Sequence, residues 1–242
     1  LIVKVAMNWN NGGKLLAGSN IRIDDGAVLN FDGGNSKHYN DGFISNFGSM
    51  YSGSGTLGKI SSGGYIANYG LWEFNVQANA ASYVGDQLVD NNGDIIKKGP
   101  GGVSISEYYD QGLSLFHVQQ GGATIYTKST GHSLDGHWQV DAGASIIFFA
   151  TPNVDQSVPM NPAKFVNNGL VYGRVKFTGN TSTTLQGNGK YDRMEIDKTG
   201  AQVWLESTTL VTYEFILSRG RIVLNQFDLK LGTATISYTS NL

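Results

Sequence analysis

Short runs of alternating apolar and polar residues, separated by glycines, recur along the chain. Near the C-terminal end, Met194 and Ile196 enclose an acidic residue, and Val203 and Leu205 enclose Trp204. A period of two residues is typical of a β-strand with one buried face, and none of these runs has the period of a helix. Each run is too short to bury a core alone. We therefore predict short strands, joined by glycine corners, in a chain that coils on itself.

The spacing of the corner glycines predicts the architecture. Successive corner glycines are 22, 22, 23, 19, 31, 26, 31 and 20 residues apart, and they are Gly26, Gly48, Gly70, Gly93, Gly112, Gly143, Gly169, Gly200 and Gly220. Periods of about 20 to 30 residues are typical of solenoids, in which each repeat buries its inner face against the next. The sequence therefore predicts an all-β fold, a parallel β-helix (β-solenoid) of about nine or ten coils with irregular loop insertions. Successive glycine bends are expected to lie above one another.

A β-sandwich is the alternative fold, because glycine corners also join the strands of sandwiches. The even first four spacings favour the solenoid. We expect residues 1–242 to form a single β-solenoid block, with a soft boundary near 152–162 between an irregular N-terminal half and a regular C-terminal half. Pro159 and Pro162 each remove a backbone donor there. Because the chain begins at Leu1 without a signal peptide and ends in mid-pattern, we expect a fragment of a longer protein.

The stretch from Tyr191 to Gly232 contains a lysine-threonine-glycine corner, alternating Val and Leu, and the phrase FILSRGRIVLNQFDLKLG. From Tyr191 to Ile236 it resembles repeats of large secreted and cell-surface proteins of the Bacteroidota, many of them cargo of the type IX secretion system. The resemblance implies an adhesin-like parallel β-helix that is secreted or at the cell surface. It supplies no catalytic motif.

The composition narrows the class of protein. The chain has 242 residues, 40% of them hydrophobic and 15% charged, with 33 glycines and four prolines. So many corners with so little proline favour β architecture over a disordered linker. A net charge of −2 provides no electrostatic basis for nucleic-acid binding, and no apolar run is long enough for a membrane span. The absence of cysteine excludes disulfides and thiolate chemistry.

A candidate calcium site lies at one corner. Asp90, Asn92 and Asp94 place oxygen-bearing side chains on alternate residues, and hard Ca²⁺ accepts such ligands. The glycine comes one place early for an EF-hand loop, and Asn-Gly is a common turn signal. We therefore favour a solvated turn, keep Ca²⁺ as the alternative, and predict no other cofactor or metal.

Two further motifs favour loops over binding sites. Gly53 to Lys59 has the spacing of a phosphate loop, but Ile60 replaces the Ser or Thr that would hold Mg²⁺. We interpret it as a flexible glycine loop. His132 and His137 flank Asp135 at a spacing that is neither a helix face nor one side of a strand, so we expect a polar loop there.

The expected function is structural and adhesive, that of a stiff β-helical stalk or surface-binding module. A carbohydrate-active enzyme, a polysaccharide lyase or glycoside hydrolase, needs carboxylates or an acid and a basic residue on one face. The acidic groups available are Asp86 with Asp90 and Asp94, and Asp192 with Arg193 and Glu195. Neither group stands out from ordinary surface charge, so no catalytic residue is predicted.

A non-catalytic glycan-binding module is the third possibility, and outward aromatic side chains in a row would identify it. The aromatic candidates are Trp72, Trp138, Trp204, Tyr51, Tyr65, Tyr83, Tyr108 and Tyr109. We expect most of them to stack inside the coil, and corner asparagines to form amide ladders. The expected partners are further segments of the same chain, neighbouring surface proteins and glycans.

Overall fold

The computed structural model describes residues 1–10, 13–15, 20–31, 37–39, 42–59, 64–85, 88–128, 134–151 and 157–238. Within these ranges the protein is all β, with parallel strands stacked as a β-solenoid of about nine turns. The predicted parallel β-helix is confirmed, and the sandwich is excluded because every strand pairing in these ranges is parallel. None of the described residues forms a helix that is long and apolar enough to cross a membrane.

Each turn contributes to three faces in a fixed order. The first face consists of Ile2–Val3, Ile21–Ile23, Phe43–Asn46, Tyr65–Asn68, Leu88–Asn91 and Tyr108–Asp110. The second consists of Ala6–Asn8, Val28–Phe31, Ser49–Ser52, Leu71–Asn75, Asp94–Lys98, Leu115–Val118, His137–Val140, Lys164–Asn167 and Thr183–Gln186. The third begins with Gly13–Leu15, Lys37–Tyr39, Gly55–Lys59, Ala81–Gly85, Gly102–Ile105, Gly122–Lys128, Ser145–Thr151 and Leu170–Phe177.

The last turns contain longer strands that pass from one face to the next. They are Lys190–Leu205 and Thr209–Val223, and the strands Leu229–Leu231 and Thr235–Tyr238 pair with the second of them. Val158–Met160 takes the place of the first face in its turn, and its Met160 pairs with both Leu134 and Phe177. One uninterrupted strand therefore spans more than one face in these turns.

The core is a set of columns parallel to the solenoid axis. In-register pairing of the second face stacks one residue from each turn in the order Met7, Leu29, Met50, Trp72, Ile95, Phe116, Trp138, Phe165, Leu185 and Leu205. All but Met7 are fully buried. The rings of Phe116 and Trp138 stack at a centroid distance of 4.9 Å. Each turn therefore buries its apolar face chiefly against its two neighbours.

An amide ladder closes the corner between the first and second faces. Asn46 donates its side-chain amide to Asn68 at 2.6 Å, and Asn68 donates to Asn91 at 2.7 Å. All three side chains are buried. The predicted ladder of corner asparagines is confirmed for these turns.

The glycine bends occupy two different corners. Gly48 and Gly70 lie directly above one another at the first corner, where a Cβ on Gly70 would collide with the carbonyl oxygen of Gly48. Gly143 and Gly169 instead lie between the second and third faces. The expectation of a single glycine column is therefore wrong at Gly143 and Gly169, because a triangular coil has several corners and any of them can require a glycine. Gly200 and Gly220 lie again between first-face and second-face segments.

The soft boundary near 152–162 lies partly outside the described residues, which exclude 152–156. On either side of it the ladders continue, since Trp138 pairs with Phe165 and Ser145 pairs with Leu170. The second and third faces thus extend across this segment as one stack.

Candidate functional site

A polar groove opens on the second face of the first four turns. It has a volume of about 510 Å³ and is lined by Asn8, Asn10, Asn30, Phe31, Tyr51, Ser52, Gly53, Ser54, Glu73, Asn75 and Gln77. Strand register places Asn8, Asn30, Tyr51 and Glu73 in one outward column, one residue from each turn. The groove therefore follows the solenoid axis.

Hydrogen bonds order part of this lining. The side-chain amide of Asn30 donates to the amide oxygen of Asn8 at 2.7 Å. Glu73 accepts from the ammonium group of Lys98 at 2.7 Å, which pairs the charge of that carboxylate. The lining is consequently rich in amides and nearly neutral.

A second candidate is a row of exposed aromatic rings beside the first face. Phe47 and Tyr69 stack at the corner in successive turns, with centroids 5.0 Å apart and planes 7° from parallel. The guanidinium group of Arg22 lies 5.0 Å from the Phe47 ring centroid in the turn before. Phe43 and Tyr65 make an edge-to-face contact on the adjoining strands. The row thus presents aromatic faces held in place by the backbone ladder.

The eight aromatic candidates divide between the interior and the surface. Trp72, Trp138 and Tyr108 are buried, whereas Tyr51 and Tyr83 are exposed; Trp204, Tyr65 and Tyr109 are intermediate. The expectation that most of them lie inside is therefore wrong. The alternating pattern does not reveal the outward stack of Phe47 and Tyr69, because both residues lie at bends, where the alternation of strand residues does not apply.

The calcium candidates are separated by a corner. Asp90 lies one residue before the end of its first-face strand, and its carboxylate accepts from the Tyr65 hydroxyl at 2.6 Å and the Asn92 amide at 2.8 Å. Burial, followed by this bond to Asp90, raises the pKa of Tyr65. Asp94 begins the next strand on the second face and is exposed. The structure brings Asp90 and Asn92 together and leaves Asp94 on another face.

Two loop predictions fall on strands. His137 begins a second-face strand, so a polar loop is wrong for that residue, and His132 lies outside the described residues. Gly55 to Lys59 form a third-face strand, so a flexible glycine loop is wrong for these residues. Backbone pairing with neighbouring turns overrides the local glycine content.

The second acidic group joins a network of ion pairs. The ammonium group of Lys176 lies 2.9 Å from the Glu195 carboxylate and 2.8 Å from that of Asp197. Asp197 also pairs with Arg219, which is the main reason that the pKa of Asp197 is lowered. Both carboxylates are engaged in ion pairs, which suits a structural role better than proton transfer. Asp86 lies outside the described residues.

Lys97, Lys198 and Asp110 are among the charged side chains that are buried in the solenoid. Lys97 donates to the carbonyl oxygens of Lys98 and Gly99, both at 2.7 Å, and of Gln120 at 3.0 Å. Lys198 donates to the side chain of Asn161 and the carbonyl of Thr181. Burial lowers the pKa of both lysines to about 8.

Asp110 continues the buried amide ladder column, since it pairs in register with Asn91. It accepts from the backbone N–H of Gly136 at 3.0 Å and the hydroxyl of Tyr108 at 3.3 Å. Burial raises the pKa of Asp110 to about 7, although both hydrogen bonds oppose that rise.

No protein-family model, no curated protein and no solved structure matches this chain. The strand pairings define the chain as a parallel β-solenoid. Its exposed surfaces are the features that bear on function.

Proposed function

We propose that this chain is a structural and adhesive segment of a secreted or surface-exposed bacterial protein. It acts as a stiff β-helical stalk whose outer surface binds a glycan, a neighbouring protein or a further segment of its own chain. The observation that carries the proposal is the exposed stack of Phe47 and Tyr69. Large aromatic side chains held rigidly at a surface are typical of binding hot spots.

The scaffold supports this role. Each inner turn pairs its backbone with two neighbours and adds one side chain to the interior columns, so bending the rod disrupts hydrogen bonds and packing together. Loops can vary at the corners without breaking the ladders. The bacterial source, the secreted or cell-surface location and export by type IX secretion rest on the resemblance of Tyr191 to Ile236.

Surface display tests adhesion. The 242-residue chain is displayed on a non-adherent bacterium, and attachment to protein-coated and glycan-coated surfaces is measured under flow. We expect attachment above that of the empty display system, and a loss of most of it in a Phe47→Ala, Tyr69→Ala double variant. Tyr172→Ala is the control, because this side chain is similarly exposed but lies in a distant turn. Attachment that is absent, or unchanged in the double variant, contradicts the proposal.

A carbohydrate-active enzyme is the competing function. Glu195 of the second acidic group, and Asp197 beside it, are paired with cations. We expect no turnover of polysaccharides by the purified chain. Turnover that disappears in Glu195→Gln or Asp197→Asn, with the fold retained, would establish the enzyme instead.

A further inference from the structure

We propose that the polar groove on the second face binds a neutral polysaccharide lying along the solenoid axis. This assigns a ligand class to a second part of the surface and rests on the proposed adhesive function. The groove is separate from the aromatic stack, since Phe47 and Tyr69 are not among its lining residues.

The chemistry of the lining indicates a polyhydroxylated ligand. Five of the lining side chains are amides, namely Asn8, Asn10, Asn30, Asn75 and Gln77. An amide presents both a donor and an acceptor, which matches hydroxyl groups that donate and accept in turn. The internal bond from Asn30 to Asn8 fixes two of these amides before a ligand arrives, which reduces the entropy lost on binding.

The charge of the lining indicates a neutral ligand. Glu73 is the one ionisable acid or base among the described lining residues, and it is paired with Lys98. An anionic polymer would find no cation among these described residues to pair with, and a cationic one would have to compete with Lys98. The described lining residues include one carboxylate, whereas glycoside hydrolysis uses two, so the proposal is binding and not cleavage.

Tyr51 provides an apolar platform within the groove. Its side chain is 37% exposed, and register places it between Asn30 of the preceding turn and Glu73 of the following turn. The face of an aromatic ring packs against the C–H groups of a sugar ring, while the flanking polar groups reach the hydroxyls. Tyr51 thus combines with the amides in one binding surface.

The repeat of the groove indicates a polymer. Asn8, Asn30, Tyr51 and Glu73 follow one another at the strand spacing of about 4.8 Å. An extended chain of linked sugars would meet a new polar or aromatic group at each turn. A single sugar would contact only part of the lining.

Affinity electrophoresis of the 242-residue chain in gels containing glucan, mannan or xylan tests this proposal, with polygalacturonate and polylysine as charged comparisons. We expect at least one neutral polymer to retard the protein, with little change on adding salt, because screening acts on charges. Tyr51→Ala should weaken binding by about tenfold. An Asn75→Ala, Gln77→Ala double variant should also weaken polymer binding. It should leave the fold unaffected, because both side chains are exposed. Tyr172→Ala should bind as the native chain does.

Three results would overturn the proposal: no retardation by any neutral polymer, retardation only by a charged polymer, or unchanged binding in the combined Tyr51, Asn75 and Gln77 variant. Circular dichroism verifies that each variant is folded. If surface attachment persists and depends on Phe47 and Tyr69 while the neutral polymers fail to bind, the groove proposal alone is wrong. If the polymers bind through the groove but displayed cells do not attach, the adhesive function alone is wrong.

Discussion

At the residue scale, the buried ammonium group of Lys97 is bound by backbone carbonyls and not by a carboxylate. Lys97 lies in an interior column between Phe74 and Val118, and its ammonium group reaches three carbonyl oxygens at a corner. Its long apolar stem packs in the core while the charge is hydrogen-bonded at the end. Its position in a run of alternating residues predicts an inward side chain, but its charge argues for the surface. Only the arrangement of carbonyls around the corner decides between the two.

Replacing Lys97 with Met should alter how stability depends on pH. The pKa of folded Lys97 is about 8, whereas an unfolded lysine keeps its proton up to about pH 10.4. From about pH 8 to about pH 10 the unfolded chain therefore binds more protons, so the free energy of unfolding rises with pH. Lys198 contributes in the same direction.

We expect Lys97→Met to be less stable than the native chain, because three carbonyls lose a donor, and to show a shallower rise over this pH range. Urea denaturation at several pH values measures both effects. Lys190→Met is the control, because this lysine is exposed and should leave the native slope unchanged. Equal slopes in the two variants would show that Lys97 does not titrate as described.

Asp110 should have the opposite pH dependence. The pKa of folded Asp110 is about 7 and that of an unfolded aspartate is about 3.9. The folded chain therefore binds more protons between about pH 4 and pH 7, and its free energy of unfolding falls as the pH rises. Asn keeps the oxygen that accepts from Gly136 and carries no charge. We expect Asp110→Asn to lack this contribution and to match or exceed native stability at about pH 8, as measured by urea denaturation. The exposed Asp94→Asn should not share this effect.

At the scale of the structural element, the corner ladder of amides stabilises the turn-to-turn stack. Asn68 accepts from Asn46 and donates to Asn91 and to the carbonyl of Asp94 at 3.1 Å. A buried Asn is costly unless its polar atoms are satisfied, and stacking like residues provides the partners. The sequence predicts the ladder, since Asn recurs at corners, but it cannot say which corner asparagines are buried.

Asn68→Ala should lower the free energy of unfolding by about 3 kcal/mol, because it removes three hydrogen bonds and leaves buried partners unsatisfied. Asn30→Ala removes the bond to Asn8 on the outer surface, where water can replace it, and should cost about 1 kcal/mol or less. Chemical denaturation compares the two variants. If the two variants lost similar amounts of stability, burial of the ladder would not increase its contribution to the free energy of unfolding.

At the scale of the whole molecule, stability comes from repeated contact between neighbouring turns. Trp138 is the centre of a cluster in which its ring lies 4.9 Å from Phe116, 5.0 Å from Phe148 and 6.5 Å from Phe165. These residues come from three consecutive turns. Because each turn contacts chiefly its neighbours, a local defect should remain local.

Trp138→Ala should cost about 3 to 5 kcal/mol, since it leaves a large cavity in a close-packed column. In hydrogen–deuterium exchange, the strands His137–Val140, Leu115–Val118 and Lys164–Asn167 should lose most protection, and the first turns should keep theirs. Trp204→Ala is the control, because that ring lies on the outward side of its strand and is not fully buried. Loss of protection along the entire rod would contradict nearest-neighbour coupling.

The sequence by itself determined the alternating strand pattern and the repeat, because alternation and glycine spacing are local properties of the chain. It predicted short strands near the C-terminal end, whereas Lys190–Leu205 and Thr209–Val223 continue as strands through Gly200 and Gly220. It also favoured a solenoid over a sandwich, since the even spacing of the first corner glycines is typical of stacked turns, and the parallel strand pairings decided between the two folds. Only the tertiary structure decided which residues meet across turns. Asn8, Asn30, Tyr51 and Glu73 are about 20 residues apart in the chain, and the register of parallel pairing brings them into one groove. Register depends on the summed fit of many strands, so no single segment encodes it.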